Sequence, residues 1–242
     1  MKYKLLKLLF LAFLFIGQSA YAIEPLSIKY VDPKASEKAD SLYNKAHRAY
    51  SQGNYEKAIE LYRSSYEYKI SADVLNNLAA TFEKVKDYDN AIKWYKITIN
   101  KYQDKDAIFN LAFLYDDKLA KYNKAIELYQ QAFAKGIVTG GVNLGILYEE
   151  KLHKIKKSIY WYKKAIKKGD IDARKNLGLL YHQQKDKLNS ATYMIGMIGH
   201  PYTKERVLGL LRDDWKIDEP TLKKAYELQK TLVPNPYTGG IE

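Results

Sequence analysis

Residues 143–181 read NLGILYEEKLHKIKKSIYWYKKAIKKGDIDARKNLGLLY, and the stretch opens and closes on one phrase. Asn143-Leu144-Gly145 returns as Asn176-Leu177-Gly178, and the tyrosine four residues after each leucine, Tyr148 and then Tyr181, returns with it. Residues at i and i+4 lie on one face of a helix, a turn apart. Outward in steps of 33, the phrase recurs as Asn-Leu-Ala at 110–112 and 77–79, with Tyr115 and Phe82. Only its asparagine survives at Asn44. A second phrase alternates with the first: KAIELY at 57–62, NAIKWY at 90–95, KAIELY at 124–129 and KSIYWY at 157–162. A degenerate fifth copy starts at Ser190-Ala191. Two ladders in register at this period are the signature of a repeat architecture.

Each unit holds two apolar stretches at helical spacing, separated by a polar turn such as Gln52-Gly53-Asn54 or Lys86-Asp87. That pattern predicts a helix-turn-helix pair, helix A then helix B. Small residues at Ala79, Ala112, Gly145 and Gly178 are expected to face Ala58, Ala91, Ala125 and Ser158, letting the helix backbones close. The 23 tyrosines fit the same plan, each ring filling space between helices while its hydroxyl reaches a wet edge. No single pair can bury both faces, so the pairs must stack.

On these residues the chain resembles the tetratricopeptide repeat family. Repeats three to five are similar to its Sel-one-like relatives, as in WYKKAIKKGDIDARKNLGLLY from Trp161 to Tyr181. The resemblance implies an all-α fold: a right-handed α-solenoid of about five helix-turn-helix repeats, with C-terminal capping helices. It spans roughly residues 38–200, after a lead-in at 23–37 and before a cap and tail at 201–242. It departs in its 33-residue step, in Ala49 where a large aromatic is usual, and in lacking prolines that close helix B. Asp32-Pro33 reads as the N-cap and first position of the opening helix. Thr203 to Trp215 reads as one amphipathic helix, Asp218 as the cap of a second running to about Leu232, and Tyr237-Thr238-Gly239-Gly240 as a loose tail.

Residues 1–22, MKYKLLKLLFLAFLFIGQSAYA, read as a leader: Lys2, Lys4 and Lys7, an apolar run to Ile16, then Ala20-Tyr21-Ala22 before a cleavage. The apolar run is about a dozen residues, short of the roughly 20 that span a bilayer. A periplasmic or secreted protein starting at Ile23 is expected, its formal charge lowered from +12 to +9. The chain has no cysteine, which excludes disulfides, thiolate nucleophiles and cysteine-ligated zinc. The four histidines, at 47, 153, 182 and 200, form no HExxH, and no phosphate-binding GxxxxGK[ST] occurs. A non-catalytic protein with no cofactor and no metal is the expectation.

Function is then sought on surfaces. In the resembled family helix A lines a concave wall. The face of the repeating asparagine gives a candidate groove of Tyr43, Asn44, Asn77, Phe109, Asn110, Phe113, Asn143, Ile146, Asn176 and Leu179. Glu83, Asp116, Asp117, Glu149 and Glu150 form an acidic rim on the same face. Asparagine is a mediocre helix former. Five in register therefore imply either bridges between repeats or amides offered to a bound peptide. A second surface is basic: eight lysines between 151 and 168, among them Lys156, Lys157, Lys163, Lys164, Lys167 and Lys168. Either a solvated face or an anionic partner explains it, and the leader disfavours nucleic acid. The leading expectation is an exported module binding a peptide or helix of another protein in its groove. An immunity-type protein that neutralises a bacterial toxin is the alternative, and a cell-wall enzyme a remote third.

Overall fold

The structure, a computed structural model, describes residues 33–232, 234 and 236–242. The leader at 1–22 with its cleavage after Ala22, and Asp32 as a cap, lie outside the described residues. Among the described residues twelve α-helices follow one another, the first ten as antiparallel pairs. They are α1 (Pro33–Ser51) with α2 (Tyr55–Tyr68), α3 (Ala72–Lys84) with α4 (Tyr88–Tyr102), and α5 (Lys105–Phe113) with α6 (Tyr122–Ala134). Next come α7 (Val138–Ile146) with α8 (Ile155–Lys167), α9 (Ile171–Gln183) with α10 (Lys187–Ile195), and a closing pair, α11 (Lys204–Gly209) with α12 (Glu219–Leu232). From α1 to α10 successive helices pack on one another, and α12 packs on α10, which makes an all-α solenoid.

Local chemistry sets the helix starts. Asn54, Asp87, Asp170 and Asp186 each accept a hydrogen bond from the backbone N–H three residues on, as do Ser71, Asp104 and Thr203. The A-to-B turns all place one residue in the left-handed region: Gly53, Lys86, Ala120, His153 and Lys185. Only the first of these is the glycine that such a backbone favours.

The two phrases have unequal separations. Asn77 and Tyr95 are 18 residues apart, whereas Asn110–Tyr129 and Asn143–Tyr162 are 19 apart. Repeats three and four thus carry one extra residue between their helices, offset by one fewer before the next repeat. The fold absorbs it as a single π-turn, Leu114–Lys118 after α5 and Leu147–Lys151 after α7. Leu152 N–H bonds to the carbonyl of Leu147 at 3.1 Å, an i to i+5 bond that takes the insertion without breaking the helix. The two helices that follow, α6 and α8, begin without a side-chain cap.

The core is one continuous cluster through the repeats, with a second under the closing pair. Tyr62, Tyr95, Tyr129 and Tyr162, the last residue of each second phrase, are all buried. At Gly145 and Gly178 of helix A the nearest neighbour is a large side chain of helix B. A Cβ on Gly145 would lie 2.2 Å from Cε1 of Tyr162, and one on Gly178 would lie 2.9 Å from Sδ of Met194. The expected contact between small residues is corrected at these two positions: Gly145 makes room for a ring and Gly178 for a thioether. In the fifth repeat Met194 takes the ring's place.

The C-terminal end also differs from expectation. Thr203–Trp215 is α11 followed by a third π-turn, Leu210–Asp214. The tail is docked. Gln229, fully buried, exchanges two hydrogen bonds with the backbone of Tyr237 at 2.6 and 3.1 Å. Tyr226 accepts from Gly240 N–H and donates to the Thr238 carbonyl, and Ile241 is buried in the second core. Composition pointed to a loose end because Gly and Pro signal turns, but backbone groups paired to a buried amide hold it in place.

Candidate functional site

The helix-A wall is organised by a ladder of tyrosines and carboxylates. Glu83, Asp116 and Glu149 recur at the 33-residue step. Tyr95 donates to Glu83 at 2.6 Å, Tyr162 to Glu149 at 2.9 Å and Tyr129 to Asp116 at 3.4 Å. The expected acidic rim is therefore split in two. Glu83, Asp116 and Glu149 are half-buried and held by hydroxyls, while Asp117 and Glu150 are exposed. Burial raises all three inner carboxyls above the ordinary range, against the opposing effect of the tyrosine hydrogen bonds. Three of the hydroxyls expected at a wet edge, those of Tyr95, Tyr129 and Tyr162, end on these carboxylates.

The tyrosines are shifted in the same sense, chiefly by burial and then, for Tyr95 and Tyr162, by the carboxylate beside each. Tyr193 is pushed up to about 12. A group that holds its proton more tightly when folded stabilises fully below its unfolded value, about 10 for tyrosine. That contribution is lost as pH climbs through the folded value. Urea midpoints should therefore fall steeply from pH 10 to 11, and Tyr162→Phe should flatten that fall. A wild-type midpoint that stays level to pH 11 would refute the burial of these rings.

Two of the five asparagines bridge repeats. Asn77 donates to the Tyr43 hydroxyl at 2.8 Å, and Asn143 to the Tyr129 hydroxyl at 3.1 Å. The Asn143–Tyr129–Asp116 chain thus ties repeat four to repeat three. Asn110 and Asn176 are half-buried, and Asn44 is exposed at the first repeat. Phe109 packs on Tyr129 with ring centroids 5.8 Å apart, so it belongs to the core side of the wall.

Two hollows open among the described residues. The first, about 320 Å³, lies between repeats three and four and is bounded by their two π-turns. Phe113, Asn143 and Ile146 line it, with Asp116, Asp117 and Lys118 from one π-turn and Glu150 and Lys151 from the other. Phe113 is 44% exposed, and Asp117 pairs with Lys118 at 2.6 Å. Ala120, Tyr122 and Tyr129 complete the wall. Apolar surface ringed by a few charges, at a volume of about 300 Å³ or more, is the usual form of a ligand pocket. The second hollow, about 330 Å³, opens where repeat five meets the closing pair, lined by Lys175, Leu179, Met194, Tyr202, Arg206, Val207, Leu210 and Asp214. So Phe113, Asn143 and Ile146 come together, Leu179 joins a different hollow, and Tyr43, Asn77 and Phe109 are spent on packing. Among the described residues no cluster of His, Asp or Glu could hold a metal ion, and no helix is long and apolar enough to cross a membrane.

Arg174 escaped sequence reasoning. It is 3% exposed and donates to the carbonyls of Gly196 and Pro234, joining repeat five to the C-terminal segment. A signal was present: the same register position holds Leu75, Ile108 and Gly141, all buried. An arginine at a core position asks for carbonyls to bond. On helix B the six singled-out lysines are exposed, save half-buried Lys164. Lys157 lies over Tyr148, Lys164 over Tyr160 and Trp161, and Lys168 over Phe133, at 4.7–5.3 Å from the ring centroids.

Comparison with known proteins agrees with this architecture. Residues 39–69 and 74–106 each match a family pattern described as tetratricopeptide repeat. No curated protein matches the chain. Among solved structures, Pseudomonas aeruginosa pilF is similar at 18% identity and a TM-score of 0.59, over 82% of this chain and 93% of that one. A tetratricopeptide repeat protein from Parabacteroides merdae shares 16% identity at a TM-score of 0.56, covering 82% of this chain and 81% of its own. A Sel1 repeat protein from Oxalobacter formigenes shares 17% identity at a TM-score of 0.54, covering 82% and 90%. Residues 39–69 and 74–106 thus carry the tetratricopeptide repeat pattern, and the array as a whole shares the fold of solved tetratricopeptide and Sel1 repeat proteins.

Proposed function

We propose that this protein is an exported, non-catalytic interaction module that holds a peptide or helix of another protein at the hollow between repeats three and four. Repeats of this kind generally mediate contacts between proteins. The observation that carries the reading is the exposed ring of Phe113, set beside Ile146 between two π-turns whose carboxylates ring it. Single π-turns are rare and occur often at functional sites. Here they turn Asp116, Asp117 and Glu150 toward one apolar floor, which suits an apolar side chain flanked by a basic one. Export rests on the leader at 1–22, with cleavage after Ala22.

The test is capture of a partner by the chain from Ile23, followed by titration with Phe113→Ala/Ile146→Ala. Truncating central apolar anchors costs about 2 kcal/mol or more of binding, roughly thirtyfold in affinity. Neither residue is fully buried, so the thermal midpoint should change little. A variant that melts early yet binds normally once folded would make Phe113 and Ile146 core residues and end the groove reading. Mass spectrometry of the exported protein checks the start at Ile23.

A further inference from the structure

Between Lys151 and Gly169 the chain has eight lysines and no acidic residue, and the structure gathers part of this run into one outward stripe of α8. Lys156, Tyr160, Lys163 and Lys167 follow one another at helical spacing, and all four are exposed. Ser158, Trp161, Tyr162 and Ala165 take the opposite, buried side. Tyr160 stands in the middle of the lysines, 52% exposed, where a purely solvated face would carry a polar residue. Its ring meets Trp161 edge-on at 5.4 Å, and Trp161 meets Phe133 of the preceding helix B at 5.6 Å. Lys164 and Lys168 lie over these rings.

We infer that this helix-B face docks on an anionic lipid surface. A bilayer offers both things the stripe requires. Its phosphates attract lysines, and its headgroup layer takes up an amphipathic ring whose body is apolar and whose hydroxyl is polar. Lysine stems bury their methylenes while the ammonium groups reach the phosphates. The uninterrupted positive charge means that a planar anionic surface meets no repulsion along the helix. The helix-A hollows are left free by this contact, so it stands or falls separately from the groove.

The experiment is co-sedimentation of the chain from Ile23, which holds every helix described above, with phosphatidylglycerol–phosphatidylcholine vesicles and with phosphatidylcholine alone. Binding to the anionic vesicles at 0.05 M salt, lost at 0.5 M salt and absent on phosphatidylcholine, is expected, because exposed charges are screened within a few ångströms at high salt. At roughly fivefold per lysine near the surface, Lys163→Glu/Lys167→Glu should weaken partitioning about 25-fold or more. Tyr160→Ala should weaken it several-fold while leaving the salt dependence intact. All three positions are exposed, and an unchanged thermal midpoint verifies that the variants fold. Absence of sedimentation with the anionic vesicles at low salt overturns the inference, as does equal binding by the lysine variant. Binding to soluble polyglutamate as strong as to the vesicles, insensitive to Tyr160→Ala, would also overturn it and assign the face to an acidic polypeptide.

Discussion

Replacing Arg174 by methionine is expected to lower the stability of the protein by about 2–4 kcal/mol and to loosen the C-terminal end first. The guanidinium sits at the junction of α9 with the C-terminal segment and bonds two backbone carbonyls, those of Gly196 and Pro234. Hydrogen bonds to a charged group are worth about 1.5–3 kcal/mol each, and a buried carbonyl left alone keeps its desolvation cost. Against this, methionine removes a buried charge whose pKa burial already lowers. The balance remains unfavourable because methionine fills the space but satisfies neither acceptor. Urea unfolding measures the loss, and hydrogen exchange at Tyr237 and Gly240 should speed up before that of the repeats. An unchanged midpoint with unchanged exchange would show that Arg174 does not tie the end down.

The second large effect is steric. Gly145→Leu should cost about 2 kcal/mol, whereas Gly178→Leu, at the same position one repeat on, should cost clearly less. A Cβ at Gly145 falls within 2.2–2.8 Å of three atoms of the Tyr162 ring, which is pinned by its bond to Glu149 and buried on all sides. Overpacking of this kind costs roughly 1–3 kcal/mol, offset by nearly 1 kcal/mol from removing glycine from a helix. At Gly178 the obstacle is the thioether end of Met194, an unbranched chain that can turn aside. Thermal midpoints of the two variants decide the matter. Equal losses would mean that the ring is no stiffer an obstacle than the methionine.

The groove was legible in part, and the reason is periodicity. The positions of Phe113 and Ile146 were readable because they stand three residues after Asn110 and Asn143, on the same helical face. The fate of the asparagines was not. Asn77 and Asn143 find tyrosine hydroxyls, but Tyr43 lies on helix A of the preceding repeat and Tyr129 on helix B. Which hydroxyl an amide reaches depends on how one repeat is rotated on the next. The acidic rim divided in two for the same reason. Glu83 and Glu149 look like Glu150 in the sequence, yet only the first two lie within reach of a buried tyrosine.

The sequence by itself determined the number of helical pairs, their order and the side each turns inward. Those properties follow from a repeated pattern of apolar and small residues, and such a pattern is local. It also contained the spacing of 19 rather than 18 between the two phrases in repeats three and four, without saying what becomes of the added residue. A longer turn or a widened helical turn would fit the chain equally well. Only the tertiary structure decided for the π-turns, because Tyr129 and Tyr162 must return to the places between helices that Tyr62 and Tyr95 occupy. The cost of leaving those places unfilled exceeds that of one irregular turn. The hollow beside Phe113 is a consequence of that choice, and so is the docking of the C-terminal tail a consequence of packing: its partners, Arg174 and Gln229, lie in helices that no local pattern connects to it.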